Sequence, residues 1–185
     1  MNWLKVDLST YQKVQNINVE KGTLLYNLSP RPYTPTDEED KNVNGEVLSI
    51  KINKTLNTCE LINLLQDQQM EFDKSEKVNY FLVEGNKYWF DKETRVILIN
   101  SITIQKDAGL EEVILWLGGK SYKTSVDYAI NFIRSLELYA VNCNNNTQQH
   151  LMEISNLNDR DALFEYNISA GYPEPIVFDT EELIK

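Results

Sequence analysis

From Val126 to Ile154 the chain carries the pattern that most restricts its fold. Val126, Ala129, Ile130, Ile133, Leu136, Ala140 and Cys143 recur at steps of three and four. That spacing lays them along one side of a helix. Leu151 and Ile154 resume the stripe beyond the polar segment NCNNNTQQ. Thr124 and Asp127 have the spacing of a capping box, with Asp shorter than the usual Glu, so the helix is expected to begin near Ser125. Asparagine is a poor helix former, and a kink or break is predicted between Asn142 and Thr147. A helix this long gains most of its stability from what packs on its apolar side. It is also the natural seam of a homo-oligomer, although its heptads are too few to fix a stoichiometry.

The flanking segments supply candidates for that packing. DKETRVILINSITIQKDAG reads as a helix capped by Asp91 and stopped by Gly109. Val96, Ile99 and Ile102 form its stripe, widened by Ile97, Leu98 and Ile104. EEVILWL then reads as a strand, Gly118-Gly119 as a turn and KSYKTS as a returning strand. After the long helix, LNDRDALFEYN predicts a short helix capped at Asn158 or Asp159, and ISAGYPEP a turn that ends the fold.

The N-terminal half is β-rich. WLKVDL alternates with period two, and GTLLYNL and EVLSIKI are rich in strand formers. Between these last two, residues 29–46 hold three prolines and an acidic run, Asp37–Asp40, with no period, and are expected to form an exposed connection. TLNTCELINLLQDQQMEF predicts a short helix capped near Asn57 or Thr58. NYFLVEGNKYWFD predicts a hairpin in which Gly85 and Asn86 supply the positive φ of the turn. The expected fold class is α+β: a small antiparallel N-terminal sheet, then helix, β-hairpin, long helix and short helix. Residues 1–86 are expected to form a docking region and residues 87–185 an α+β domain.

Composition narrows the function. Eighteen basic against 28 acidic residues leave a formal charge of −10 in 185 residues. Such a balance repels phosphate backbones, so no nucleic-acid partner is expected. No apolar run reaches the length of a membrane span, and no membrane partner is expected. No signal peptide is visible at MNWLKVDLST. Two cysteines, Cys59 and Cys143, and one histidine, His150, offer no metal-ligand spacing; the thiols are expected to be buried and free. No metal or cofactor is expected.

Gly119-Lys120-Ser121 supplies the end of a phosphate-binding loop, but the first glycine of that motif would stand at 114, where Ile114 is found, and no helix starts at Lys120. On a helix, Cys143 and His150 would share a face about 10 Å apart, too far for proton transfer. His150 is expected at a surface or an interface. The carboxylates Asp37, Glu38, Glu39, Glu111, Glu112 and Glu181 show no catalytic pairing. No catalytic residue is assigned and the chain is not expected to be an enzyme, a hydrolase or nucleotide enzyme being the least supported class. Tyr33, Tyr80, Tyr88, Trp89, Tyr122, Tyr128, Tyr139, Tyr166 and Tyr172 form an aromatic surplus suited either to interfaces or to packing under sheets and hairpins.

The order of elements from Tyr88 onward resembles a phage domain found at the C-terminal end of tail-fibre-associated and tail-fibre-assembly proteins. The residues that carry the resemblance are Arg95 on the first helix, Trp116 on the strand, the long helix with LELYA and the late His150. The aromatic-Pro turn Gly171-Tyr172-Pro173 completes it, where the family usually has Gly-Trp-Pro. The resemblance implies a bacteriophage virion structural protein made in the bacterial host cytoplasm: a tail, collar or fibre appendage component that docks other virion subunits. The alternative is a tail-fibre assembly chaperone.

Overall fold

The computed structural model describes residues 1–35 and 42–178, so the acidic run Asp37–Asp40 and Glu181 lie outside the described residues. The element order is β1 (Trp3–Val6), β2 (Val14–Asn18), β3 (Thr23–Pro32), β4 (Gly45–Ile52), α1 (Thr58–Asp73), β5 (Phe81–Val83) and β6 (Asn86–Tyr88), followed by α2 (Lys92–Asp107), β7 (Glu112–Leu117), β8 (Lys120–Ser125), α3 (Val126–Asn156), α4 (Arg160–Glu165) and β9 (Val177–Phe178). The class is α+β, as expected. The chain forms two compact units, each built from two stretches: residues 1–72 with 147–170, and residues 73–146 with 171–185. The expected boundary at 86/87 falls instead inside the β5–β6 hairpin.

The first unit is built on an antiparallel sheet of order β1-β4-β3-β2. Residues Leu25 to Ser29 of β3 are buried without a break, as in a strand covered on both faces. Tyr26 stacks on Phe164 at 6.1 Å, and its hydroxyl accepts the Leu56 N–H at 2.7 Å. The buried Asn27 is satisfied on both sides: it donates to the Gln12 carbonyl and accepts from Ser49 Oγ, each at 2.6 Å. β2 lay in no predicted element; its polar sequence VQNIN hides the pairing. The predicted connection at 29–46 is corrected at both ends. Ser29 to Pro32 belong to β3 and Gly45-Glu46 to β4, because a bulge between Leu28 and Arg31 carries pairing past the prolines. Ser29 is fully buried there at φ +52° and accepts the Ile168 N–H at 3.0 Å.

α1 is closed at its start by a reciprocal capping box. Asn57 Oδ1 accepts the Glu60 N–H and Glu60 Oε2 accepts the Asn57 N–H, both at 2.9 Å. Leu61, Leu65 and Phe72 are buried from this helix, each worth about 1.5–3 kcal/mol. Cys59 is exposed, contrary to the expectation for both thiols, because the stripe places it on the outer side of the first turn; Cys143 is buried.

The second unit packs α2, the start of α3, the β7–β8 hairpin and the three-stranded sheet β6-β5-β9 around one apolar cluster. β9 runs parallel to β5, pairing Val83 with Phe178. Phe178 inserts its ring 4.7 Å from Phe132 and 5.8 Å from Tyr122, both edge-on. The turn after Ser169 therefore does not end the fold; a two-residue strand is too short to leave a periodic signal. In the β5–β6 hairpin the positive φ values fall on Glu84 and Gly85, not on Asn86. A two-residue turn of this class needs both central residues left-handed. The helix cap at α3 is also corrected: Ser125 Oγ accepts the Tyr128 N–H at 3.2 Å, while Thr124 points into the core.

α3 is continuous over 31 residues, with no break between Asn142 and Thr147. Cys143 and Thr147 are buried within that polar stretch. Their burial outweighs the asparagine propensity cost, which is at most about 0.7 kcal/mol per residue.

Candidate docking face

The outward side of the β7–β8 hairpin is set by strand alternation. Val113, Leu115 and Leu117 point inward, each 4% exposed or less, and hold the hairpin on the core. The residues between them, Glu112, Ile114 and Trp116, therefore face out. Trp116 is 67% exposed and Ile114 56%. Of the three tryptophans it alone is exposed. Ser121 stands across from Trp116 and Lys123 across from Ile114, and Lys123 forms an ion pair with Glu112. The face thus holds a large aromatic and an aliphatic side chain rimmed by one compensated charge pair.

The Gly118-Gly119 turn is a hairpin turn with both residues at positive φ. A side chain on Gly118 would stand 2.5 Å from the Tyr88 ring, so the glycine also lets Tyr88 close over the turn. Lys120 Nζ donates to Glu84 Oε2 at 3.0 Å and links this turn to that of the β5–β6 hairpin. The carboxylate beside Lys120 raises its ammonium above the ordinary lysine range. The phosphate-loop reading finds no footing: Lys120 opens a strand and is engaged with a carboxylate.

α2 shows a second outward apolar row. The predicted stripe has Val96, Ile99 and Ile102 facing in, but of these only Ile102 is fully buried. Val96, Ile97 and Ile104 are 47%, 58% and 68% exposed. The helix is anchored by a polar residue instead. Arg95 is 5% exposed, donates through Nε to Glu137 Oε2 and through a terminal nitrogen to the Phe90 carbonyl, both at 2.6 Å, and lies 5.2 Å from the Trp89 ring centre. Beside it, a hollow of about 140 Å³ is lined by Val96, Ile99, Ile133, Arg134 and Glu137. A hollow of about 320 Å³ lined by Gln105, Glu112, Val113, Ile114 and Lys123 connects the last turn of α2 to the hairpin's outer face.

The residues that carry the phage-domain resemblance divide sharply. Arg95 is spent on α3. His150, expected at a surface, is 7% exposed; Nε2 lies 2.9 Å from the Ala170 carbonyl and Nδ1 2.6 Å from the Tyr166 hydroxyl. Gly171, at φ +73°, packs where a Cβ would meet Asn146 Oδ1 at 2.7 Å. Trp116 is left outward, as is Leu138 of LELYA, at 67% and 62% exposure. The aromatic surplus is mostly packing: Tyr122 and Tyr139 are buried, and the other seven residues of that set are half-buried. Tyr139 donates to the Val78 carbonyl at 2.6 Å. Burial pushes the Cys143 thiol up to about 11, which keeps it protonated at neutral pH. Glu112 is taken up by Lys123 and Glu111 is exposed, so neither joins a carboxylate pair.

Among the described residues no group of three His, Cys, Asp or Glu side chains is placed to hold a metal ion. No helix of the described residues is long and apolar enough to cross a membrane. The chain matches no protein-family model, no curated protein and no solved structure.

Proposed function

We propose that this chain is a bacteriophage virion structural protein, a tail, collar or fibre appendage component that acts by docking other virion subunits. Trp116 is the anchor of the docking face. The observation that carries the reading is the outward hairpin face with Trp116 and Ile114 exposed beside a compensated charge pair. Exposed aromatics of this kind bury large area at interfaces at little entropic cost. The phage-domain resemblance of the C-terminal half supplies the setting. The same face serves homo-oligomer contacts or a partner subunit, and neither nucleic acid nor membrane is required.

The test is quantitative mass spectrometry of gradient-banded particles of the parent phage carrying wild-type or Trp116→Ser chain. The expected result is a fixed copy number relative to portal for wild type and depletion of the variant, with equal thermal stability of the two purified proteins. Presence in the infected-cell lysate alone would move the assignment to a tail-fibre assembly chaperone. Equal incorporation of both chains would remove Trp116 as anchor.

A further inference from the structure

The β7–β8 hairpin is a two-stranded sheet, and among the described residues no further strand pairs with either of its edges. Its register fixes which backbone groups lie on those edges. In an antiparallel pair, residues that exchange both bonds alternate with residues whose N–H and C=O point away from the neighbouring strand. Leu117 and Lys120 close the two-residue turn, and past the other end of the hairpin the Val126 N–H donates to the Glu111 carbonyl at 3.0 Å. Both observations set the same phase: Val113 with Thr124, Leu115 with Tyr122 and Leu117 with Lys120 are the bonded pairs. The N–H and C=O groups of Glu112, Ile114 and Trp116 therefore point outward along β7, and those of Ser121, Lys123 and Ser125 along β8.

The two edges differ in chemistry. β8 carries Lys120 and Lys123, and lysines on an edge strand oppose the approach of another strand. β7 has no lysine. Its one charged residue, Glu112, is paired with Lys123, and Ile114 and Trp116 hold exposed apolar side chains beside their outward backbone groups. An apolar edge left unguarded is a template for strand addition.

We propose that β7 pairs antiparallel with β7 of a second copy, joining two hairpins into a four-stranded sheet of order β8-β7-β7-β8. This rests on the docking reading above and names the occupant of the docking face. The edge is self-complementary when the two-fold axis passes at Leu115. Ile114 of each copy then stands across from Trp116 of the other, a β-branched and an aromatic side chain on one face. Charge selects the direction. An antiparallel approach brings the acidic start of each β7, Glu111-Glu112, to the turn end of the other, where Lys120 lies. A parallel approach would set the two acidic starts side by side. The contact is isologous, so each favourable pair occurs twice. The joined sheet ends on both sides in the lysine-bearing β8, so addition stops at two copies.

Sedimentation velocity of the full chain from micromolar to submillimolar concentration should show a monomer–dimer equilibrium. Amide exchange over the same range identifies the edge. The Ile114 and Trp116 N–H groups should gain protection as the dimer forms, and those of Ser121 and Lys123 should not. Packing through side chains alone would leave all four alike. Ile114→Lys places a lysine on the open edge at a side chain already 56% exposed. It is expected to weaken dimerisation about tenfold, because its contact is lost twice. Ser121→Lys, on the other edge, should leave dimerisation unchanged. A chain that stays monomeric would overturn the pairing, as would a dimer whose Ile114 and Trp116 amides exchange as fast as that of Lys123. A monomeric chain whose Trp116→Ser variant is still depleted from particles would overturn the pairing and leave the docking reading standing. A dimer protected at both amides yet missing from particles would support the pairing and remove the virion reading.

Discussion

Arg95 Nε donates to Glu137 Oε2 at 2.6 Å, from the first turn of α2 to the middle of α3. The two partners are unequally placed: the arginine side chain is 6% exposed and the glutamate 46%. The guanidinium is the group that cannot do without a partner, because a buried cation left unpaired is costly, whereas the carboxylate retains water. Truncating the acid therefore exposes the cost on the base. Glu137→Ala is expected to lower stability by about 2 kcal/mol, below the range for fully buried pairs because half of this pair is solvated. Glu137→Gln should cost less, since its carbonyl still accepts. Urea unfolding followed by tryptophan fluorescence, to which Trp89 beside Arg95 contributes, measures both. Equal stability of Glu137→Ala and wild type would mean that the Phe90 carbonyl suffices.

Ser29 combines a left-handed backbone with a hydroxyl acceptor in a fully buried bulge. Its two roles separate by substitution. Ser29→Ala keeps the strained φ and strands the Ile168 N–H, and is expected to cost about 2 kcal/mol. Ser29→Gly also loses the acceptor but adopts positive φ freely, so it should be the milder change. The opposite order in thermal unfolding would show that backbone strain at the bulge contributes nothing.

Thr124 Oγ1 is buried without a hydrogen-bond partner among the described residues. A hydroxyl so placed is desolvated with nothing in return. Thr124→Val keeps the shape and the β-branch, and is expected to leave the fold unchanged and raise stability by up to about 1 kcal/mol. A measured loss would reveal a partner for the hydroxyl.

Asp91 caps α2 by accepting the Thr94 N–H at 2.8 Å. Hydrogen bonds from the Thr94 side chain and N–H hold its carboxyl below the ordinary carboxylate range. A carboxyl lowered by folding contributes stability above its unfolded value, near about pH 4, and that contribution is lost as pH falls through the folded value. Asn caps nearly as well but does not titrate. Wild type and Asp91→Asn should therefore differ in Tm at neutral pH and converge in acid. A constant offset across the range would exclude the carboxylate charge as the source.

Local chemistry was the legible part of this protein. The cap Asp91 is where sequence placed it, and Asp159 is one of the two neighbouring candidates, Asn158 and Asp159, that sequence offered for α4, because a short polar side chain before a periodic run satisfies the first free N–H groups whatever the rest of the chain does. The Gly118-Gly119 turn was legible for a similar reason: a two-residue hairpin loop needs positive φ, and two glycines between strand-like runs have little other use. The α3 stripe was legible because its period is intrinsic to the helix.

Burial depended on long-range partners, and there sequence reasoning missed. Nothing local distinguishes Ile102, which is buried, from Ile104, which is 68% exposed; which side of α2 faces the core is fixed by where α3 and the hairpin arrive. Arg95 reads as a surface charge until Glu137, 42 residues on, supplies its partner. Ser29 reads as the start of a loop until β4 pairs past it and Ile168 donates to it from 139 residues away. His150 reads as a polar helix residue until Tyr166 and Ala170 fold back over it.

By itself, then, the sequence determined most of the helices and the hairpin turns, since turns and caps are settled within a few residues by backbone sterics and the first unsatisfied amides, but not the short strands β2 and β9 or the true ends of β3 and β4. Tertiary structure decided which side of each element is inside. It kept α3 helical through the asparagines, enclosed His150 and left Trp116 outside, because burial free energy is set by the surface that arrives and not by the residue alone.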